Sequence, residues 1–168
     1  MEEKKEEHQE EQPIDFTVGE GETFKVHVSV DCSKKKPVPI IGPVSDALTD
    51  KVKEIWAEFY YQQFGVEQRI HGESIAITTV FDPQSKQVVN QRFLDVVRLE
   101  ENRLKYLLKD WNLTDRFGKI ELKRENGQLT GESLKKVLSV QPVILRAILH
   151  RVSMILDMGA DEGSDFIN

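Results

Sequence analysis

The last third of the chain carries the strongest pattern in the sequence and most limits how the chain can fold. Residues 104–158 indicate the end of one helix, a polar loop, a short helix and a closing apolar helix. Thr130 can cap a helix over 131–138, and Pro142 is well tolerated in the first turn of the next one. The closing helix is apolar on more than one stripe, which predicts that it is central to the core or packs on two neighbours.

Two further helices are predicted upstream. Residues 94–111 place apolar side chains on one stripe and acidic side chains toward the N-terminal half. Residues 45–65 repeat large apolar side chains at helical spacing, with Ser45 or Thr49 as a cap and Gly65 as a terminator. The aromatic face of this helix would be formed by Trp56, Phe59 and Tyr60.

Two stretches have the features of β-hairpins. Residues 15–41 alternate apolar and polar side chains, then turn and return beside Pro37 and Pro39, which suits an edge strand. Residues 74–89 contain a β-branched run, a turn sequence and a returning pair of valines. The returning arm also has helical spacing, so hairpin and helix are both open over 74–97.

These patterns predict a single α+β domain that is mainly helical, with an N-terminal β-hairpin and an optional second hairpin. Residues 1–12 carry six Glu and two Lys, and residues 157–168 carry four acidic side chains, so each end has a charge of −4. Removing both from the net charge of −6 leaves +2 for residues 13–156. We therefore expect acidic mobile tails at 1–12 and 157–168 around one domain at 13–156.

No catalytic, cofactor or metal site is predicted. The four histidines lie in different predicted elements, and none has a second ligand at the spacing of a zinc site. Phosphate-loop, serine-hydrolase and zinc-protease motifs are absent from the sequence. Cys32, the single cysteine, has only His27 near it as a base. The expectation is a non-catalytic protein without a cofactor.

The composition and the start of the sequence predict a cytoplasmic protein. The first residues are acidic where a secretion signal needs a basic start and an apolar run. No stretch approaches the ~18 apolar residues of a membrane span, so no membrane partner is expected. A single cysteine excludes an internal disulfide, which suits a reducing compartment.

Basic residues on the two C-terminal helices raise the alternative of a small helix-turn-helix regulator. They are Lys135, Lys136, Arg146, His150 and Arg151. The closing helix is too apolar to lie in a groove with one face free, and the acidic ends would repel phosphates. Nucleic acid is therefore not the expected partner.

The C-terminal half of the sequence contains short motifs that resemble those of a known protein family. The predicted helix ends in a Trp-x-Leu step at Trp111, a D-x-x-G loop follows from Asp115 to Gly118, and a capped helix contains residues 132–134. With a closing helix that starts at a proline, this order resembles tail assembly chaperones of tailed bacteriophages and related small phage structural-module proteins. The N-terminal strand pair followed by a helix also fits that group.

The resemblance implies a phage-encoded, non-catalytic assembly factor in the bacterial host cytoplasm. Such a factor coats apolar segments of the tape-measure protein and recruits tail-tube subunits, and we expect a homo-oligomer. It needs an apolar groove for an amphipathic partner helix. The residues predicted to bind the partner are Trp56, Phe59, Tyr60, Trp111, Ile144, Ile148, Val152 and Ile155. Each of them could instead lie in the protein's own core.

Another class is a structural subunit that stays in the virion, such as a head-tail connector or another tail component. Its β-segments and tails would order against neighbouring subunits. Presence in purified particles would separate this class from a chaperone, which leaves before the particle is complete.

Overall fold

The fold is mixed α+β, with helices and strands in equal amounts. The computed structural model describes residues 18–41 and 50–158. Within them, helices and strands each account for about 36% of residues, so the prediction of a mainly helical domain is wrong. The tails predicted at 1–12 and beyond Met158 lie outside the described residues.

The elements of the described ranges follow one another along the chain in a β-rich first half and a helical second half. The helices are α1 (Phe64–Glu73), α2 (Val96–Leu107), α3 (Gly131–Leu138) and α4 (Pro142–Met158). The strands are β1 (Thr23–Asp31), β2 (Val38–Pro39), β3 (Val52–Tyr60), β4 (Ile75–Asp82), β5 (Gln87–Leu94), β6 (Leu108–Trp111), β7 (Thr114–Asp115), β8 (Gly118–Lys119), β9 (Arg124–Glu125) and β10 (Gln128–Leu129).

A four-stranded antiparallel sheet and the helices on one of its faces form the core. Its strand order is β2-β1-β3-β6. The inner face consists of alternate apolar residues from the three longer strands: Phe24, Val26, Val28, Val30, Ala57, Phe59, Leu108 and Trp111. Helix α4 supplies most of the opposing layer with Ile144, Leu145, Ile148, Leu149 and Val152. The outer face is polar, as expected for a two-layer antiparallel arrangement.

The N-terminal hairpin is confirmed. Strand β1 alternates buried and more exposed residues along its length, and β2 returns beside it in the register Val30 to Pro39. The predicted edge strand is only two residues long, because Pro37 and Pro39 cannot donate to a ladder.

The helix predicted over 45–65 is wrong for its described part, which contains strand β3 and the start of α1. Ile55, Ala57 and Phe59 point inward on β3, and the alternate residues Trp56, Glu58 and Tyr60 point outward. Ala57 is small and adds little to an apolar pattern, while the outward aromatic residues lie four apart and imitate a helical stripe. Residues 45–49, with both predicted caps, lie outside the described residues.

The helix predicted over 94–111 ends early. Helix α2 stops at Leu107, and the next four residues form β6 on the edge of β3. The pairing shifts between Glu58 and Phe59, which leaves Lys109 as an extra residue in a β-bulge. Because of the bulge, Leu108 and Trp111 are both buried although they lie three apart, a spacing that also fits a helix.

The C-terminal helices are confirmed. The Thr130 hydroxyl accepts a hydrogen bond from the Ser133 N–H at 3.3 Å and caps α3, and α4 begins at Pro142. Arg103 of α2 is buried and donates to Ser153 at 2.8 Å and to Asp157 at 2.6 Å. Asp157, placed at the start of the predicted tail, is therefore part of α4 and joins it to α2.

The second hairpin is confirmed as strands β4 and β5. It is inserted between α1 and α2, which pack against each other at its base. Helix α1 was not predicted, because it has weak amphipathic character and only Ile70 of it is buried. The hairpin therefore projects from a base formed by α1 and α2.

Candidate protein-binding site

The hairpin of residues 75–94, here called the arm, stands apart from the core. Strands β4 and β5 pair with each other from Ile75–Leu94 to Asp82–Gln87 and form a separate two-stranded sheet. None of its residues is buried. A two-stranded hairpin exposed on both faces is at best marginally stable alone in water. The arm therefore lacks the cover that a strand of this composition normally has.

Both faces of the arm carry large apolar side chains. Seven of them are between 36% and 68% exposed: Ile75, Ile77, Val80, Phe81, Val88, Phe93 and Leu94. The register places Ile75, Ile77, Phe81, Val88 and Leu94 on one face and Val80 and Phe93 on the other. Only Asp82, Lys86 and Arg92 are charged among the twenty residues of the arm. Contiguous exposed apolar surface of this kind marks an interaction site.

The edges of the arm are open, whereas those of the main sheet are partly covered. Within the described residues, no third strand pairs with β4 or β5. At one edge of the main sheet, β2 is short and flanked by prolines. At the other edge, the Arg124 guanidinium donates to the carbonyls of Leu108 and, at 2.8 Å, of Tyr106. Proteins ordinarily protect sheet edges in these ways. The arm, whose strands are longer than those of the other two-stranded sheets, has neither form of protection within the described residues.

The tip of the arm is a tight, hydrogen-bonded turn. The Asp82 carboxylate accepts from the Ser85 hydroxyl and from the Gln84 N–H at 2.9 Å, and these bonds lower its pKa. Lys86 has a φ of +57°, which completes the turn in the left-handed region. The turn fixes the register of the two strands and hence which side chains share a face.

The base of the arm is anchored between the helices. The Asp95 N–H donates to the Ser74 carbonyl at 2.8 Å, so the two ends of the arm lie side by side. The Asp95 carboxylate accepts from the Val97 N–H at 3.1 Å and caps α2. Ser74 is fully buried, and its hydroxyl accepts from Asn102 of α2 at 3.0 Å. The arm thus projects from a base with fixed geometry.

Exposed apolar surface continues from the arm onto the first turn of α2. Val96 and Val97 are more than 60% exposed. Val97 also lines a small cleft of about 150 Å³ between α2 and the α3–α4 corner, together with Leu138, Leu145 and Leu149. The arm and this turn form one apolar region at the same end of the molecule.

The eight predicted partner-binding residues do not share an exposed surface. Five lie in the core: Phe59, Trp111, Ile144, Ile148 and Val152. Ile155 is partly buried against that core. Trp56 and Tyr60 point to the outer face of the sheet, on the opposite side from α4. The structure therefore places these residues in the packing on the two faces of the main sheet and does not gather them into one binding surface.

The outer face of the main sheet is occupied by its own charge pairs. Lys25 lies 4.6 Å from the centre of the Trp56 ring, and Arg124 lies 5.0 Å from that of Tyr60. The Glu58 carboxylate accepts from Lys109 at 2.8 Å and from Thr23 at 2.7 Å. The Lys109 bond is the main cause that lowers the pKa of Glu58. The aromatic rings are thus partly covered by neighbouring cations.

A cleft of about 580 Å³ lies at the end of the inner sheet face. Two of its polar side chains already bind backbone. Asn112 accepts from the Trp56 N–H at 2.8 Å and so extends the β3 edge, and Gln141 donates to the Pro37 carbonyl at 3.1 Å. These bonds make Asn112 and Gln141 structural, so the cleft offers fewer free polar groups than its lining indicates.

The arm was not among the predicted binding residues, although the sequence carried a signal for it. A half-exposed strand normally alternates apolar and charged residues, but 75–81 contains no charge and has apolar residues on both faces. Such a strand needs cover on both sides. The rest of the described residues supply too little cover, and only the fold reveals this.

No group of three or more histidine, cysteine or acidic side chains in the described ranges is placed to hold a metal ion. No single described helix is long and apolar enough to cross a membrane, and α3 with α4 meets that length only as a pair bent by 108°. In comparisons with known proteins, no family model, no curated protein and no solved structure matches the chain significantly.

Proposed function

We propose that this protein is a non-catalytic assembly factor that binds other proteins through the arm. The observation that supports this function is the arm itself, a hairpin with apolar residues on both faces and two edges that no other described strand pairs with. An extended partner segment can add to such an edge through main-chain hydrogen bonds, while side chains on the two faces select its sequence.

The contrast between the two sheets supports binding over accidental exposure. The main sheet is partly covered by a short proline-flanked strand at one edge and by Arg124 at the other. An unprotected hairpin in the same chain is an aggregation risk unless a partner covers it. Retaining it is reasonable for a protein whose function is to be covered by another chain.

The resemblance to tail assembly chaperones gives this function a context. In that context the partner is a tape-measure protein with long apolar segments, and the complex forms in the bacterial cytoplasm before the tail is complete. The arm and the exposed Val96 and Val97 supply the apolar surface that such a factor needs. The core residues first predicted for this purpose, such as Phe59 and Ile148, act through packing.

The test is co-purification of the full chain with fragments of the candidate tape-measure protein. Changing Phe81 and Phe93 to Ser should abolish co-purification, because both side chains are exposed on the arm. The matched control is Phe117→Ser, which removes an aromatic ring that is 82% exposed outside the arm. Equal binding by all three proteins would refute the function proposed for the arm.

A virion structural subunit is the second candidate, because two open edges also suit a subunit that stays between neighbours. Detection of the chain in purified particles would favour this class, and its absence would favour the chaperone. A helix-turn-helix regulator receives less support. Helices α3 and α4 meet at 108°, but five residues of α4 are buried in the core.

A further inference from the structure

Strand β5 has a property that its exposure alone does not explain: its pattern of apolar and polar residues is the same in both directions. From Val88 to Leu94 it consists of two apolar residues, three polar residues and two apolar residues, centred on Gln91. When two identical strands pair antiparallel about a two-fold axis, their sequences run in opposite directions. A residue before the central position then faces the residue at the same distance after it in the other copy. A strand with this symmetry is complementary to itself.

We propose that two copies of this chain join through their β5 edges, with Gln91 opposite Gln91 of the second copy. The pairing places Val88 opposite Leu94, Val89 opposite Phe93 and Asn90 opposite Arg92 of the second copy. Each apolar residue meets an apolar one, and the cation meets an amide rather than another cation. The two arms then form one four-stranded antiparallel sheet in the order β4-β5-β5-β4.

The faces of the arm agree with this register. Residues directly opposite each other in an antiparallel ladder must lie on the same face of the sheet. Val88, Asn90, Arg92 and Leu94 share one face of the arm, and Val89, Gln91 and Phe93 share the other. Every pair in the proposed ladder therefore joins residues from one face. A register shifted by one residue would break this agreement along the whole strand.

The edge of β4 is less suited to self-pairing. A β4–β4 ladder centred on Thr78 would place Ile77 opposite Thr79 of the second copy. A ladder centred on Thr79 would place Ala76 opposite Asp82 of the second copy. Both registers set an apolar residue against a polar or charged one, twice in the symmetric pair. Apolar matching and the absence of an apolar residue opposite a charged one thus both favour β5, and β4 remains free at each outer edge.

Pairing also accounts for the stability of the arm. A lone two-stranded hairpin is marginal, and at least three strands with a covered face are usually needed for independent stability. A four-stranded sheet across a two-fold axis meets the strand number and halves the number of open edges. The apolar faces of that sheet stay available to a partner, which is where this inference rests on the proposed function.

The first experiment measures the mass of the full chain by light scattering after size exclusion, over a range of concentrations. The expected result is a dimer. Gln91→Glu and Gln91→Lys each place like charges opposite each other, so each should weaken self-association about tenfold or more. An equal mixture of the two variants should restore the dimer, because opposite charges then face each other across the axis.

Thr78→Glu and Thr78→Lys are the matched controls, since Thr78 is exposed on β4 directly opposite Gln91 in the same arm. Both should remain dimeric. Circular dichroism confirms that each variant is folded. The β5 pairing would be overturned if the wild-type chain were a monomer or if only the Thr78 variants dissociated the dimer. An oligomer of any size that the Gln91 variants do not weaken would also overturn it.

Cross-linking gives a second measurement. In a Cys32→Ser background, Gln91→Cys places two sulfur atoms across the axis on residues whose Cβ atoms lie about 5 Å apart, within reach of a disulfide after small adjustment. Mild oxidation should produce a covalent dimer, and Thr78→Cys should not. A monomer that still binds the tape-measure fragment would overturn the pairing alone, whereas a dimer that binds no fragment would overturn the proposed function alone.

Discussion

Arg124 shows how one side chain determines where the main sheet ends. Its guanidinium is half-buried, donates to three backbone carbonyls including that of Gly127 at 2.7 Å, and stacks over Tyr60. Burial lowers its pKa, although the group stays charged at any ordinary pH. A planar fork with several donors is the group that can satisfy these carbonyls together.

Replacing Arg124 with Lys should lower the free energy of unfolding by about 2 kcal/mol. The single ammonium of lysine lacks the planar fork of the guanidinium and cannot reach all of these carbonyls at once. Urea denaturation measures the change. Arg116→Lys is the control, since Arg116 is exposed and stacks on the exposed ring of Phe117. Equal stability of the two variants would contradict the structural role of Arg124.

Glu58 makes stability depend on acid pH. Its pKa lies below the ordinary value of 4.5, first because Lys109 donates to it and then because Thr23 does. The folded state therefore binds fewer protons than the unfolded chain, and the stabilisation is present above about pH 4.5 and lost as pH falls through the lowered pKa. Glu73, bonded to Tyr106 and Lys105, contributes with the same sign.

Glu58→Gln should therefore flatten the loss of stability between about pH 6 and about pH 3. Urea midpoints at several pH values measure the slope. Glu121→Gln, which removes an exposed carboxylate, is the matched control. An unchanged slope in Glu58→Gln would show that the Lys109 pair contributes no pH-dependent stability.

At the scale of the element, the arm behaves as an insertion whose ends already meet. The Asp95 N–H and the Ser74 carbonyl are 2.8 Å apart, and among the described residues no other element makes extensive contacts with β4 or β5. Replacing 75–94 with a short glycine linker should therefore leave the domain folded with a similar melting temperature. Thermal circular dichroism tests this, and loss of cooperative melting would show that the arm stabilises the core.

How far each element could be predicted depended on whether its pattern had one interpretation. Strand β1, helix α3 with its Thr130 cap, and helix α4 each had one, and the structure confirms them. Strand β3 had two, because Trp56 and Tyr60 at helical spacing face solvent while Ala57 fills the core. Local patterns give the spacing of residues but not which side the rest of the chain covers.

The candidate site was missed for the same reason. Trp111 and Ile148 lie on elements with strong apolar patterns, and large apolar residues on such elements are the ones that the core buries. Phe81 and Phe93 lie on an ambiguous segment whose exposure depends on the absence of cover from elements distant in sequence. The exposure of a side chain depends on the whole fold, so it cannot be predicted from a short stretch of sequence.

At the scale of the whole molecule, the core and the arm should differ in protection from hydrogen exchange. Backbone amides of β1 and β3 lie in the middle of the main sheet and should exchange slowest. In Gln91→Glu, the arm amides that face an open edge should exchange fast. In the wild-type dimer, those of β5 should become protected while the outward amides of β4 stay fast. Equal exchange of β5 in both proteins would contradict the pairing.

The local pairing of the arm has a consequence for the order of events during synthesis. Strand β3 pairs along one edge with β6, about fifty residues later, whereas β4 and β5 meet through a turn of a few residues. Hairpins close in about 1–10 μs, and a ribosome adds about 5–20 residues per second. The arm can therefore pair, with apolar faces and open edges, before β6 and helices α2, α3 and α4, which complete the core, have emerged. On a message read by several ribosomes, the nearest matching β5 edge belongs to the neighbouring nascent chain, so pairing between copies can precede the folding of either domain.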